Sequence, residues 1–318
     1  MHRQGGLFIK ILVTGGAGFI GSHLSDQLIN YGHDIVIIDD LSSGKVENIN
    51  PRAKFYRLNL NDNSLVQVFA VEKPQVICHL AAQINVGVSQ QEPCLDADSN
   101  IMGTLKILTY AIKYKVQKIV FTSSAAIYGN PLYLPVNEEH PALPLSFYGL
   151  SKYTAECYIR MFATTFGLRY SILRFSNVYG PRQQATGEGG VIAQFVTRFA
   201  KGEAPVIYGD GEQTRDFIYV GDVVAACCKA LYMGDNQTLN VSTGRAVSIN
   251  QLCRQLKNIS DWSSPPFYYP RREGDILHSV LDNSKARSQL LWYPRGSLTE
   301  GLKKTIYSEK QKTTLSEW

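Results

Sequence analysis

The most restrictive feature of the sequence is a turn built on three glycines, Gly15, Gly18 and Gly21, spaced three residues apart. An apolar β-branched run precedes the turn and an amphipathic run follows it, so the pattern predicts a strand, a turn and a helix. Glycine permits a tight turn, lets backbone N–H groups approach a pyrophosphate, and lets the helix pack closely on the sheet. The positive end of that helix also favours phosphate. The turn therefore predicts a dinucleotide site, with Phe19 and Ile20 at the start of the helix.

An acidic residue, Asp39, stands at the end of the second predicted strand. Its carboxylate can accept hydrogen bonds from both ribose hydroxyls of NAD, and it would repel the 2′-phosphate of NADP. The loop that follows carries a single cation, Lys45, which is little charge for binding that phosphate. The sequence therefore favours NAD, while the alternative that Asp39 or Asp40 only begins a turn stays open.

Short β-branched runs alternate with amphipathic runs through the first half of the chain, which is typical of βαβ units and a parallel sheet. The pattern predicts strands at residues 9–13, 35–38, 55–58, 76–79, 118–122 and 170–174. It predicts helices at residues 20–30, 64–70, 101–114 and 148–166. The expected fold class is therefore α/β, a doubly wound parallel sheet whose ligands bind beyond the carboxyl ends of the strands.

This regular alternation ends near residue 175, where loops rich in glycine and proline begin to mix with short helices. We expect an NAD-binding domain at residues 1–175 and a smaller mixed α/β substrate-binding domain at residues 176–318. Residues 216–242 are expected to pack back on the sheet of the first domain.

Composition narrows the classes of partner. The chain has 318 residues and a formal net charge of +5 without a long Lys/Arg run, so no nucleic-acid partner is expected. No apolar stretch approaches the ~20 residues that cross a bilayer, so no membrane contact is expected. The six cysteines form no Cys-x-x-Cys pair and no cluster with histidine, so no metal site is expected. Free buried thiols and the lack of an N-terminal apolar signal segment predict a cytoplasmic protein.

A tyrosine and a lysine, Tyr148 and Lys152, stand four residues apart in a predicted helix, which places them on one face. An ammonium near a phenol favours the phenolate, so we expect Lys152, aided by the positive nicotinamide of NAD, to lower the pKa of Tyr148. Ser123 and Ser124 end the preceding strand, where a hydroxyl can hydrogen-bond the reacting oxygen. This set of side chains predicts acid–base chemistry beside the cofactor, with Tyr148 as the proton carrier.

The glycine turn, the strand-end serines and the Tyr–Lys pair occur in a familiar order. With them, the chain resembles the extended short-chain dehydrogenase/reductase family over essentially its whole length. The likeness is closest to the NAD-dependent epimerases and dehydratases, and among these to the UDP-glucose/UDP-galactose 4-epimerases. Further segments carry it: residues 39–44, 79–82, 100–104, 123–129, 174–182, 215–220 and 272–275. The resemblance implies that Ser124, Tyr148 and Lys152 are the catalytic residues.

The resemblance also implies which residues line the two binding sites. Those implied to bind NAD are Gly15, Gly18, Phe19, Ile20, Gly21, Asp39, Asp40, Ser43, Gly44, Asn59, Leu60, Leu80, Ala81, Ala82, Gln83, Asn100, Ser123, Tyr148, Lys152 and Phe175. Those implied to bind the substrate are Val86, Ser124, Ala125, Tyr148, Asn177, Gly190, Val191, Tyr208, Arg215, Arg272, Asp275 and Ser279. The partners it implies are a UDP-sugar substrate and a second copy of the chain in a homodimer.

The activity implied by the resemblance is NAD-dependent epimerisation of a UDP-hexose at C4 through a 4-keto intermediate. Related dehydratases carry an Asp-Glu pair after the strand-end Ser/Thr, and related UDP-glucuronate decarboxylases carry Glu at the second of these positions. Here Ala125 and Ala126 stand there, and methyl groups cannot transfer protons, so epimerisation is favoured. Two alternatives remain: an epimerase or reductase of another nucleotide sugar such as UDP-glucuronate, and a non-catalytic NAD-binding regulator.

One further position, Ser279, bears on the substrate range. In the 4-epimerases, the position four residues after the phosphate-binding Asp275 is bulky in enzymes limited to plain hexoses and small in those that accept N-acetyl sugars. A serine there leaves room for an acetamido group, so UDP-GlcNAc and UDP-GalNAc are candidate substrates. The alternative that a neighbouring loop fills this space stays open.

Overall fold

The computed structural model describes residues 8–185, 190–260, 262, 264–271 and 275–315, with side chains through residue 311. The strands are β1 (Lys10–Thr14), β2 (Asp34–Asp39), β3 (Lys54–Arg57), β4 (Val76–His79), β5 (Lys118–Ser124), β6 (Arg169–Phe175), β7 (Asn177–Tyr179), β8 (Val206–Tyr208), β9 (Thr214–Arg215), β10 (Phe217–Tyr219), β11 (Gln237–Val241), β12 (Val247–Ser248) and β13 (Phe267–Tyr269). The α-helices are α1 (Phe19–Asn30), α2 (Leu65–Glu72), α3 (Val86–Gln91), α4 (Pro93–Ala97), α5 (Gly103–Lys113), α6 (Phe147–Phe166), α7 (Val191–Ala200), α8 (Val220–Ala230), α9 (Ile249–Ile259), α10 (Ser284–Leu290) and α11 (Leu298–Leu315).

Within the described residues, seven strands form one parallel sheet in the order β11-β6-β5-β4-β1-β2-β3. The predicted fold class, α/β with a doubly wound parallel sheet, is therefore confirmed. Successive strands run outward in both directions from the neighbouring pair β1 and β4. Because the loops beyond these two strands turn to opposite faces, a crevice opens at their carboxyl ends.

Apolar side chains cover both faces of this sheet, because helices flank a parallel sheet on both sides. Along β1, Ile11 and Val13 face the layer that contains α1 and α8, and Leu12 faces the layer that contains α5 and α6. The alternation follows from the two-residue period of a strand. The sheet is thus rigid where its strand ends must position ligands.

All six predicted strands and all four predicted helices occur with ends within two residues of the prediction, but one helix is preceded by an irregular turn that the pattern does not predict. The helix predicted at residues 101–114 begins with a π-helical turn over Asp98–Met102, and α5 follows it. Asn100 is buried in that turn, at 2% exposure. Such wide turns occur where a helix departs from regular geometry to direct particular side chains, often near functional sites.

Beyond Phe175 the architecture changes to short paired strands. These form two-stranded sheets, β10 with β7, β12 with β9 and β13 with β8. Helices α7, α9 and α11 pack beside them around a separate apolar core that includes Phe195, Leu252 and Leu302. Because β7 follows directly on the carboxyl end of β6, this region lies at the edge of the sheet where the crevice opens.

Candidate active site

The glycine turn connects β1 to α1, and its shape requires glycine at two of the three positions. Gly15 has a φ of +70°, and a Cβ there would lie 2.7 Å from the backbone nitrogen of Ala81. A Cβ on Gly21 would lie 2.0 Å from the carbonyl oxygen of Gly15. At Gly18 the closest approach is 3.2 Å, so a small side chain there needs only a slight shift. The turn and the helix start therefore pack as one close backbone unit.

Asp39 ends β2 beside this turn and is 8% exposed. Its Oδ2 accepts a hydrogen bond from the N–H of Ala17 at 2.9 Å, and its Oδ1 accepts one from Leu41 at 2.9 Å. Gly44 lies against it, because a Cβ there would stand 2.8 Å from Oδ1. The structure is thus compatible with both interpretations of Asp39. The carboxylate shapes its own turn and, because a lone pair is left on each oxygen, it can also accept hydrogen bonds from a ribose.

Two more predicted NAD residues lie on the adjoining loops. Asn59 donates from Nδ2 to Asp40 at 2.8 Å and accepts at Oδ1 from the N–H of Asn61 at 2.9 Å. The carbonyl of Ser43 accepts from Nε2 of Gln184 at 2.6 Å, which joins this loop to the region beyond β7. The loop after β2 is therefore contacted by Asn59 on one side and by Gln184 on the other.

The loop after β4 is fixed by a buried histidine. His79 contacts the hydroxyl of Thr14 at 2.7 Å through Nδ1 and that of Thr104 at 3.0 Å through Nε2. The N–H groups of Leu80 and Ala81 donate to the same Thr14 oxygen, each at 3.2 Å. Burial lowers the pKa of His79 to about 3, so the ring is neutral and its role is to hold this loop in place.

Asn100, a predicted NAD residue, is occupied by protein contacts. Its Oδ1 accepts from the N–H of Gln83 at 2.8 Å. Its Nδ2 lies 2.9 Å from the carbonyl of Gln83, 3.1 Å from Asp96 and 3.0 Å from the hydroxyl of Ser151. The amide therefore joins the loop after β4 to α6, the helix that carries the predicted catalytic pair. Asp96, which is 1% exposed, was missed by sequence reasoning because nothing in its local pattern marks it as buried.

Ser124 and Tyr148 come together where β5 ends and α6 begins. The hydroxyl of Ser146 caps α6 by accepting from the N–H of Gly149 at 3.1 Å. A Cβ on Gly149 would stand 2.7 Å from the carbonyl of Ala126, so the helix start packs directly on the turn after β5. This close approach places the start of α6, where Tyr148 lies, beside the strand end that carries Ser124.

Lys152 lies one helical turn after Tyr148 and is 3% exposed. Its Nζ sits 4.3 Å from the ring centroid of Phe121, a cation–π contact. Burial lowers the pKa of Lys152 to about 8, while the negative charges of Glu156 and Asp96 act in the opposite direction. The ammonium is thus a buried cation held between two carboxylates and an aromatic face.

The expected lowering of the Tyr148 pKa by Lys152 is wrong for the protein by itself. Burial raises the pKa of Tyr148 above its ordinary value; the hydrogen bond with Ser124 lowers it, and the charge of Asp96 raises it further. The physical reason is desolvation, which penalises the phenolate more than the neighbouring groups stabilise it.

A buried ion pair joins α6, the helix that carries Tyr148 and Lys152, to β6. Glu156, at 0% exposure, is bound by Arg174 through Nε to Oε1 at 2.9 Å and through Nη2 to Oε2 at 2.7 Å. Arg174 also donates from Nη1 to the hydroxyl of Tyr128 at 2.9 Å. Sequence reasoning missed Glu156, although its spacing repeats the four-residue step from Tyr148 to Lys152 and could have indicated it.

The predicted substrate residues gather on the paired strands. Arg215 donates from Nη2 to Asp275 at 3.0 Å, across a sequence separation of 60 residues. The N–H of Ser279 donates to the carbonyl of Thr214 at 3.1 Å, which holds Ser279 one residue from Arg215. Asn177 opens β7 with an exposed side chain and pairs in register with β10. An arginine, a carboxylate, an amide and a small hydroxyl thus lie on neighbouring segments of the region beyond β6.

The remaining predicted residues lie in loops or at the ends of elements around the crevice. They are Leu60, Ala82, Val86, Ser123, Ala125, Phe175, Gly190, Val191 and Tyr208. Arg272 lies outside the described residues.

Among the described residues, no group of three or more His, Cys, Asp or Glu side chains is arranged to hold a metal ion. In the same residues, no helix is both long and apolar enough to cross a bilayer. All six cysteines are free thiols; Cys94 and Cys157 are exposed, and the other four are buried as expected.

The cradle beyond β1 fits a dinucleotide. Helix α1 begins without a side-chain cap and without an acidic residue in its first turn, so its N–H groups and positive end are available to a pyrophosphate. A side chain on Gly15 or Gly21 would collide with backbone, so the chain surface there stays bare. With NAD bound, residues 15–21 would hold the pyrophosphate and Asp39 the adenosine ribose.

Comparisons with known proteins agree with this geometry. A family model described as the NAD dependent epimerase/dehydratase family matches residues 11–242. The putative UDP-glucose 4-epimerase of Methanocaldococcus jannaschii is 46% identical over 297 residues, which are 93% of this chain and 97% of that protein.

Solved structures give the same picture. The UDP-glucose 4-epimerase of Thermotoga maritima, solved with UDP-glucose, has a TM-score of 0.93 at 46% identity and covers 96% of this chain and 100% of that chain. The UDP-N-acetylglucosamine 4-epimerase of Methanobrevibacter ruminantium, solved with UDP-N-acetylmuramic acid, has a TM-score of 0.91 at 34% identity and covers 98% and 99%. This chain therefore belongs to the NAD-dependent epimerase/dehydratase family, as an enzyme whose cofactor is NAD.

Proposed function

We propose that this enzyme epimerises a UDP-hexose at C4. The observation that carries the proposal is that the start of α6, with Tyr148 and Lys152 one turn apart, packs directly on the turn that follows Ser124 at the carboxyl end of β5. The relatives named UDP-glucose 4-epimerase and UDP-N-acetylglucosamine 4-epimerase support it, because they match nearly the whole chain.

Each of the three side chains has a role that its position suggests. When bound, NAD would supply the acceptor for the hydride that leaves C4 of the sugar and, in its oxidised form, a positive charge near the phenol. Tyr148 takes the proton of the 4-hydroxyl and returns it, and Ser124 hydrogen-bonds the same oxygen. Lys152 carries its charge one helical turn after Tyr148, where, together with the positive charge of oxidised NAD, it would favour the phenolate.

The residues after Ser124 favour epimerisation over elimination or decarboxylation. Ala125 and Ala126 form the short turn after β5, directly under the start of α6. Loss of water or of CO₂ from the sugar requires a further acid or base, and alanine supplies neither.

The nucleotide is held, in this proposal, by the charged group at β9. Arg215 is half-buried and paired with Asp275 at 3.0 Å, so its guanidinium is fixed in position before a diphosphate arrives. Planar guanidinium groups bind phosphate oxygens in bidentate geometry. Asn177 adds an exposed amide next to the same strands.

The sugar range follows from Ser279. This half-buried residue is fixed by its backbone to Thr214, beside Arg215, and its side chain is small. We propose that UDP-GlcNAc and UDP-GalNAc are accepted together with UDP-Glc and UDP-Gal. UDP-glucuronate is the alternative substrate.

We propose a homodimer, with α6 at the contact. Three large apolar side chains on one side of this helix are exposed, Phe147 at 44%, Leu150 at 47% and Met161 at 63%. Burying such a row against a second copy gives a favourable free energy.

The six free thiols also support a cytoplasmic location, since disulfides form and persist in oxidising compartments.

The test is incubation of the purified protein with UDP-Glc, UDP-GlcNAc and UDP-GlcA in separate reactions without added NAD, followed by chromatographic separation of the C4 epimers. We expect both neutral sugars to be converted by the cofactor that purifies with the enzyme. Conversion of UDP-GlcA alone would overturn the substrate assignment, and conversion of none would overturn the proposed activity.

A further inference from the structure

Between Arg215 and Phe217 lies a carboxylate to which the proposed chemistry gives no role. Asp216 is 0% exposed. No Arg, Lys or His among the described residues lies within ion-pair distance of it. A buried, unpaired charge is costly unless several hydrogen bonds replace its hydration, so its contacts need an explanation.

All close contacts of this carboxylate come from donors. Oδ1 accepts from the N–H of Thr243 at 2.9 Å and from its hydroxyl at 2.6 Å. Oδ2 accepts from the N–H of Gly244 at 3.0 Å. Longer contacts come from the hydroxyl of Ser176 at 3.5 Å and the N–H of Leu281 at 3.4 Å.

The ionised form is the one that fits these partners. Burial raises the pKa of Asp216, and the hydrogen bonds from Thr243, Gly244 and Leu281 oppose that shift. A carboxylic acid or an amide would turn a hydrogen toward groups that themselves donate, so neither satisfies the site as a carboxylate does.

The donors come from three separate segments. The segments of Ser176 and Leu281 adjoin predicted substrate residues, whereas Thr243 and Gly244 anchor the carboxylate from the loop after β11. Ser176 precedes Asn177, whose N–H also donates to the carbonyl of Asp216 at 2.9 Å. Leu281 follows Ser279 by two residues, and Arg215 directly precedes Asp216 in the chain. Through its carboxylate and its backbone carbonyl, Asp216 therefore contacts the segments that carry Asn177 and Ser279, while its own segment carries Arg215.

We propose that Asp216 is a positioning residue that holds Asn177, Arg215 and Ser279 in one arrangement and thereby sets the affinity for the nucleotide sugar. It acts through its neighbours and does not touch substrate. The proposal rests on the proposed function, because it assumes that these three residues bind a UDP-sugar.

The test is Asp216→Asn, which keeps the size and removes the charge. In the NAD-loaded enzyme, we expect the Kd for UDP and the KM for UDP-glucose to rise about tenfold or more. We expect kcat to change less than KM, and the NAD content to match that of the wild type. Calorimetry measures the Kd, and release by denaturation followed by chromatography measures the NAD.

The matched control is Asp222→Asn. Asp222 is also a buried carboxylate, at 7% exposure, and accepts from the N–H groups of Arg295 at 2.8 Å and Gly296 at 3.1 Å. It should lower the Tm and leave KM unchanged. The proposal is overturned if Asp216→Asn lowers the Tm in the same way with an unchanged Kd for UDP, or if kcat falls while KM stays constant.

If Asp216→Asn does not fold, Thr243→Val decides the question. It removes only the 2.6 Å hydroxyl donor and keeps the backbone N–H. A rise of about threefold in the Kd for UDP is expected, and an unchanged Kd contradicts the proposal. Failure of the wild type to bind UDP would instead mark the failure of the proposed function itself.

Discussion

The two sides of the crevice are built in different ways. The core of the cofactor side is formed by elements that follow one another in the chain, β1, the glycine turn, α1 and β2, all between residues 10 and 39. The substrate side is assembled from short strands and loops, and its pair Arg215 and Asp275 is separated by 60 residues. The first surface is mainly backbone and the second mainly polar side chains. We therefore expect abrupt losses from changes on the first and graded losses from changes on the second.

The largest expected effect is that of Gly21→Ala on the cofactor side. The new Cβ would stand 2.0 Å from the carbonyl of Gly15, a contact with backbone that no rotamer change relieves. We expect NAD content near zero in the purified protein and loss of all activity. Gly18→Ala, with 3.2 Å at the same carbonyl, is the matched variant and should retain most of the cofactor. Equal NAD content in the two variants would contradict the steric account.

Tyr148 lies between the two sides, so Tyr148→Phe should change neither the binding of NAD nor the binding of the nucleotide sugar. Removal of the proton carrier is expected to lower kcat about 10²- to 10⁴-fold. NAD content and the Kd for UDP should stay at wild-type values, because the ring still fills its place. The exposed Tyr307 on α11 gives the control Tyr307→Phe, which should be fully active. A fully active Tyr148→Phe would disprove the proposed mechanism.

Arg215→Ala tests the graded behaviour of the substrate side. Loss of charge-assisted hydrogen bonds to a diphosphate should raise the Kd for UDP about 10- to 100-fold. The NAD content should not change, since β9 contributes nothing to the glycine cradle. The exposed Arg245 supplies the control Arg245→Ala, for which calorimetry should give the wild-type Kd. Loss of NAD from Arg215→Ala would show that the two sides are not independent.

Ser279→Tyr should narrow the substrate range with a smaller effect on overall activity. A bulky side chain at this half-buried position removes the space proposed for an acetamido group. We expect kcat/KM for UDP-GlcNAc to fall about tenfold or more, with that for UDP-glucose near the wild-type value. Equal losses for both sugars would mean that Ser279 does not face the sugar.

The smallest effect concerns the stability at low pH of the parallel sheet that carries the cofactor side, at the strand ends opposite the crevice. Burial raises the pKa of Glu72, but hydrogen bonds from Lys54, Tyr56 and Lys10 together lower it from 4.5 to about 2. A carboxyl with a lowered folded-state pKa stabilises the fold above its unfolded value, and this stability is lost as the pH falls toward 2. In urea titrations, Glu72→Gln should be less stable than the wild type at pH 7, and the two should converge near pH 2. A constant difference between the two proteins would contradict this.

The sequence predicted the cofactor side well because its signals are local. The three glycines, the strand ends and Asp39 follow from sterics and periodicity within a few turns of chain, and all six predicted strands occur. The π-helical turn at Asp98–Met102 was missed, since helical periodicity alone does not show that Asn100 would be drawn into contacts with Gln83 and Ser151. Local patterns cannot encode contacts that depend on a partner 50 residues away.

Electrostatics were predicted less well than placement. The sequence placed Tyr148 and Lys152 on one helix face, but the sign of the Tyr148 pKa shift depends on how deeply the phenol is buried. Depth of burial belongs to the packed structure. The same holds for Asp96, whose charge reaches Lys152 only because α4 packs against α6. Glu156 lies one turn after Lys152 on the same helix, but its burial against Arg174 is likewise decided by the packed structure.

The sequence by itself determined the strand–turn–helix unit, the preference for NAD and the presence of a serine, a tyrosine and a lysine in the right order. Only the tertiary structure decided which residues of the second half meet. Ser176, Thr243 and Leu281 all donate hydrogen bonds to Asp216, although more than one hundred residues of chain separate the first of them from the last. The physical reason is that a strand or a helix start is specified by neighbours in sequence, whereas a buried carboxylate is satisfied by whichever donors the folded chain brings to it.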